Sequence, residues 1–177
     1  RNGYRFAGWS LSKNGSVIYQ DGAEVINLAS ENNATVTLYA VWEPIPTYTL
    51  HYDANGGTAA PADDSALEGE TCTVSDRKPV YDGYRFLGWS ENSAATVNQY
   101  KAGDLLAMDR NITLYAVWQK LATYTITYNP GVNDGSVSNL PASGTKTEDE
   151  PYVLSSTIPV REGYEFTGWY SDKALTK

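Results

Sequence analysis

Cysteine, methionine and histidine each occur once in this 177-residue chain, and phenylalanine three times. One cysteine, Cys72, excludes an intrachain disulfide framework. With no His near it in sequence, it reads as a strand thiol rather than a nucleophile. One histidine, His51, has no second imidazole with which to build a metal cluster, so it reads as an ordinary strand residue. Basic residues are scarce too: 13 Lys and Arg face 21 Asp and Glu, a net charge of −8. Nucleic acid or an anionic membrane needs a basic patch, and this balance argues against both as partners. No apolar run reaches bilayer length, so no membrane insertion is expected within this stretch. Helical periodicity is weak throughout. No signal peptide opens the chain. Arg1-Asn2-Gly3 runs straight into a motif that recurs, which reads as a piece of a longer protein whose targeting signals lie elsewhere.

What is abundant is repetition. Gly-Tyr-x-Phe-x-Gly-Trp begins at Gly3, Gly83 and Gly163, 80 residues apart each time. Thr37 to Trp42 returns as Thr113 to Trp118, and Thr47 to Tyr52 as Thr123 to Tyr128, both 76 residues later. A fixed long period marks a tandem repeat. The four-residue difference falls in loops, which tolerate length changes that packed strands do not. A unit of this size buries a modest core, so large aromatics should carry it, and 14 Tyr and 5 Trp are present. The second Gly of the motif should admit another backbone where a side chain would block it.

Taken in order, 1–46 reads as the closing half of one unit, 47–119 as a complete unit, and 120–177 as the opening half of a third. In Leu38 to Trp42, both faces are apolar or aromatic, which suits an inner strand. Glu43-Pro44-Ile45-Pro46 forms the first junction, stiffened by two prolines. Gln119-Lys120-Leu121-Ala122, without proline, should bend more easily. The strand 47–52 should bury Tyr48, Leu50 and Tyr52 on one face. A polar loop with Asp63, Asp64 and Glu68 should follow, then a strand near 71–74. The best helical candidates are Tyr100 to Met108 and its counterpart Glu24 to Ala29. Units cut at both ends leave unpaired edges, and 1–42 of one molecule could complete 123–177 of another, a head-to-tail or strand-swapped self-association.

No catalytic, cofactor or metal site stands out. The acidic clusters Asp63-Asp64 and Glu148-Asp149-Glu150 lack the spacing of a calcium loop and read as solvated charge. Leu140-Pro141-Ala142-Ser143-Gly144 has the outline of a wall-sorting signal but no apolar tail follows, so it reads as a loop. Trp42, Trp89 and Trp118 could form a sugar-stacking platform, yet their recurring strand positions favour a core role. Tyr81, Tyr100 and Tyr170 are better candidates for an exposed contact.

The three blocks resemble the Listeria–Bacteroides repeat family, the internalin-type B repeat. The resemblance rests on Tyr48 to Tyr52 with Gly56-Gly57, then Pro79 to Trp89, then Ile112 to Trp118, and it covers nearly the whole chain. It implies tandem small β-grasp-like units, mainly β and mostly antiparallel, with one short helix at most. It also implies a modular bacterial protein, secreted or on the cell surface, and carries no catalytic residues to transfer. The expected function is a non-catalytic stalk or spacer contributing to adhesion. The alternative is a module that binds a host or cell-wall glycan or protein through exposed Tyr.

Overall fold

The computed structural model describes residues 1–171. It is mainly β, and among the described residues there is no helix. Two compact units are distinguished: Arg1–Val80 with Phe86–Val117, and Tyr81–Arg85 with the residues from Trp118 onward.

In the first unit, β1 (Tyr4–Ser10) pairs antiparallel with β2 (Tyr39–Pro44). The larger element is a four-stranded sheet formed by β3 (Thr47–Asp53), β4 (Asp64–Leu67), β6 (Tyr84–Ser90) and β8 (Ile112–Lys120) in the order β4-β3-β8-β6. A hairpin β3–β4 flanks a parallel pair, β3 on β8, in the register Leu50↔Ile112 to Asp53↔Tyr115. First and last strands lying parallel at the centre is the β-grasp arrangement, here without its helix. A parallel pair needs a long crossover. The crossover contributes β6 to the sheet and a second small sheet of β5 (Thr71–Thr73) with β7 (Leu105–Ala107).

Alternation decides what goes inside. Along β3, Leu50 and Tyr52 are buried while His51 is exposed; along β8, Ile112, Leu114 and Ala116 are buried. With Cys72, Val74, Trp89, Leu106 and Met108 they form the core. Trp89 lies edge-on to Tyr52 at 4.9 Å and to Phe86 at 5.1 Å, geometries favoured by the ring quadrupoles. The Tyr52 hydroxyl accepts the Ser75 N–H at 2.9 Å, so the ring is buried without an orphaned polar end.

The motif's second glycine has the role its sequence position implied. At Gly88, φ is +143°, and a Cβ would stand 2.7 Å from the Tyr100 carbonyl oxygen; at Gly8 the same angle recurs, with the Tyr19 oxygen at 2.6 Å. There the Trp89 backbone exchanges hydrogen bonds with Tyr100, as Trp9 does with Tyr19.

The helical expectations are corrected. Residues 105–108 alternate instead, with Leu105 out, Leu106 in, Ala107 out and Met108 in, and β7 pairs with β5; the positive φ of Gly103 turns the chain ahead of it. Residues 24–29 form no regular element, and Ile26 is 85% exposed. The expected polar loop at 63–68 is largely β4, whose polar residues suit an edge strand.

In the second unit, β9 (Thr123–Ile126) pairs antiparallel with β11 (Gly144–Thr147), and β10 (Val137–Ser138) with β12 (Val160–Arg161). Tyr128 repeats the buried-tyrosine device, its hydroxyl accepting the Ser155 N–H at 2.7 Å and its ring 4.7 Å from Trp169.

Candidate functional site

The residues proposed from sequence do not converge. His51 is exposed on β3, with Nδ1 2.7 Å from Asp63 Oδ1. Cys72 is buried on β5, and burial pushes its thiol pKa up, the opposite of an activated nucleophile. Among the described residues, no group of three or more His, Cys, Asp or Glu is placed to hold a metal ion, and no helix is long and apolar enough to cross a membrane. Trp89 is in the core, Trp118 is half-buried and Trp42 is exposed. The Tyr100 hydroxyl is engaged, donating to Glu91 Oε1 at 2.9 Å, and that bond raises its pKa. Tyr81 stacks on Tyr84 at 4.2 Å with the rings nearly parallel, and Trp118 meets Tyr81 edge-on at 5.5 Å. Tyr170 is the most open of the three tyrosines. Leu140 to Ser143 form a loop that leads into β11 at Gly144.

What the structure does bring together is charge at the two junctions, which the sequence reading treated as solvated. Arg5, in the variable position of Gly-Tyr-x-Phe, binds Glu43 through Nε and Glu68 through Nη1, the latter at 2.9 Å. Tyr48 Oη reaches the other oxygen of Glu68 at 3.5 Å. Eighty residues on, Arg85 takes Gln119 Oε1 at 3.1 Å, Glu148 at 3.5 Å and Asp149. Gln119 replaces Glu43, Glu148 replaces Glu68, and the fork geometry of the guanidinium is used at both places. These carboxylates raise the pKa of both arginines, the Glu43 bond first for Arg5 and the Asp149 bond first for Arg85.

Backbone bonds surround each clamp and also recur. The Ile45 N–H donates to Gly3 O and the Glu68 N–H to Pro46 O; the Leu121 N–H donates to Gly83 O and the Glu148 N–H to Ala122 O. The connections themselves are two residues long, 45–46 and 121–122, because the flanking strands run up to them. Exposed ion pairs contribute roughly 0–1 kcal/mol each, so the backbone bonds and shortness set the geometry and the arginines trim it. Aligning Arg5 with Arg85 and Glu68 with Glu148 at the 80-residue period is the signal by which the clamp could have been found from sequence.

A second recurrence caps the motif's tyrosine. The Arg1 guanidinium lies 3.7 Å over the Tyr4 ring and that of Arg161 lies 4.1 Å over Tyr164; Tyr81 occupies the same place on Tyr84.

Comparison with known proteins agrees with this repetition. The Listeria-Bacteroides repeat domain is matched over residues 1–41, 48–117 and 124–177. Two proteins of Evansella cellulosilytica, one named as a Gly-rich membrane protein and one as a membrane protein, are 33% and 31% identical across the whole chain. The chain spans 20% and 24% of their lengths. Internalin H of Listeria monocytogenes is 30% identical over 54% of the chain, which covers 16% of that relative. No solved structure matches. With three matched stretches that together cover nearly all its residues, the chain belongs to the Listeria–Bacteroides repeat family.

Proposed function

We propose that the chain is a non-catalytic spacer module of a bacterial protein that is secreted or held at the cell surface, built from copies bounded at 1–46, 47–119 and 120–177. The observation that carries this reading is the recurrence of one junction: a two-residue connection, two backbone hydrogen bonds and an arginine clamp at both boundaries. Short, bonded junctions restrict motion between neighbouring units, which is what a stalk needs. The names of the Evansella relatives and of Internalin H support placement at the membrane or surface.

The second reading is a module binding a glycan or a host protein, with a contribution to adhesion. The Tyr81–Tyr84–Trp118 ring group and the openness of Tyr170 favour it, since flat rings stack on sugars. A panel of glycans and matrix proteins at physiological salt separates the two. The spacer reading expects no saturable binding, together with faster protease cleavage at 43–47 and 119–123 in Arg5→Met and Arg85→Met chains. A saturable hit weakened by Ala at Tyr81, Tyr100 or Tyr170 would overturn it.

A further inference from the structure

The second unit contains an open apolar groove of about 1070 Å³, lined in part by Ile126, Tyr128, Leu154, Val160, Phe166 and Trp169. Its equivalent in the middle copy is filled. There Leu50 and Tyr52 correspond to Ile126 and Tyr128, and Phe86 and Trp89 to Phe166 and Trp169. Strand β8 lies between β3 and β6, pairing parallel with β3 from Leu50↔Ile112 to Asp53↔Tyr115.

Both halves of the missing pair stop at the same rung. Strand β3 extends to Asp53, but β9 ends at Ile126, the counterpart of Leu50, because β11 pairs only that far. Strand β8 starts at Ile112, but β2 starts at Tyr39, three residues after Val36, the counterpart of Ile112. Residues 127–129 and 36–38 are therefore the two sides of one absent parallel ladder. Strand β2 pairs with β1 and, in the two-stranded sheet, leaves its other edge free.

We infer that the β1–β2 hairpin of a second copy of this chain docks in this groove, with β2 parallel to β9 in the register Ile126↔Val36, Thr127↔Thr37, Tyr128↔Leu38 and Asn129↔Tyr39. The hairpin enters intact, so Arg5 keeps Glu43 and no ladder bond of the donor breaks. Phe6 and Trp9 then take the places of Phe166 and Trp169. The displaced stretch 164–170 forms no strand, and its Tyr164 and Phe166 are exposed. It also carries Glu165 where the other copies have Arg, which would face Glu43 as a like charge if 164–170 paired with β2 instead. A seven-residue strand seated against a sheet edge, with its hairpin, buries on the order of 1,000 Å² in all, enough for a specific contact. Reciprocal exchange closes a two-fold dimer.

The test uses the whole chain. Sedimentation velocity across about a hundredfold range of protomer concentration should show the mass doubling. Leu38→Asp in the donor strand and Ile126→Asp in the groove should each abolish it. Thr37→Cys and Thr127→Cys chains, both changed at exposed positions, should form a mixed disulfide when oxidised together. Thr35→Cys with Thr127→Cys, two residues out of register, should not. A monomer at every concentration, or cross-linking as efficient with Thr35→Cys as with Thr37→Cys, would overturn the proposal.

Discussion

Two tryptophans in the same motif have opposite surroundings. Trp89 is 1% exposed and touches Tyr52 and Phe86; Trp9 is half-buried and meets Phe6 at 5.0 Å. Their local sequences are nearly identical, Gly-Tyr-Arg-Phe-Leu-Gly-Trp-Ser and Gly-Tyr-Arg-Phe-Ala-Gly-Trp-Ser. The strand forms in both, the glycine admits the same backbone in both, and the serine that follows is buried in both. What differs is the opening strand: β3 brings Leu50 and Tyr52 over Trp89, and no equivalent of β3 covers Trp9 among the described residues. The motif thus sets local shape, and the parallel ladder of opening on closing strand makes the core.

The comparison can be broken most forcefully at the tryptophans. Trp89→Ala removes a fully buried indole and should cost about 3–5 kcal/mol in denaturant unfolding, whereas Trp9→Ala should cost well under half of that. Equal losses would mean that the first copy has a core of its own. A smaller effect is expected at the glycines. Gly88→Ala meets the Tyr100 carbonyl and should cost about 1–3 kcal/mol, more than Gly83→Ala, where only the positive φ is strained and no atom lies within 4 Å. Thermal melts of the two variants decide it.

Alkaline pH should act on the complete copy alone. Burial raises the pKa of Tyr52 above its ordinary value, against the Ser75 N–H that lowers it, and burial likewise raises Cys72. A raised folded-state pKa gives stability that is whole below the unfolded value and is lost as pH rises through the folded one. Stability should therefore fall from about pH 8.5–10 upward, and Cys72→Ala should remove the lower part of that fall in pH-dependent urea unfolding. The smallest effect is at the clamps. Arg85→Met should change stability by under about 1 kcal/mol while speeding exchange of the Leu121 and Glu148 amides, and salt should mimic it. Unchanged exchange would show that the backbone bonds alone hold the junction.

Much of this architecture was legible in the chain. The alternation of Tyr48-Thr49-Leu50-His51-Tyr52 and the two-sided apolar character of Leu114 to Trp118 placed an opening edge-facing strand and an inner closing one. The period located the copies, and the spacing of its glycines located the close approach. Residues 105–108 misled because Leu-Leu-Ala-Met satisfies a short helical pattern as easily as a strand, and pairing with β5, remote in sequence, decides between them. Strand β4 was hidden because edge strands need no apolar alternation. The clamp was hidden for a different reason. Arg5 and Glu68 lie 63 residues apart, and nothing local in either distinguishes a partnered charge from a solvated one.

The most direct test of the central claim is residue-resolved amide hydrogen exchange on the dilute chain, comparing 112–115 with 36–39 and 51–53 with 127–129. Slow exchange in the first stretch of each comparison and fast exchange in the second is what a core made by the parallel ladder predicts. Equal protection across both would contradict it, showing that each copy orders its strands without the partner strand.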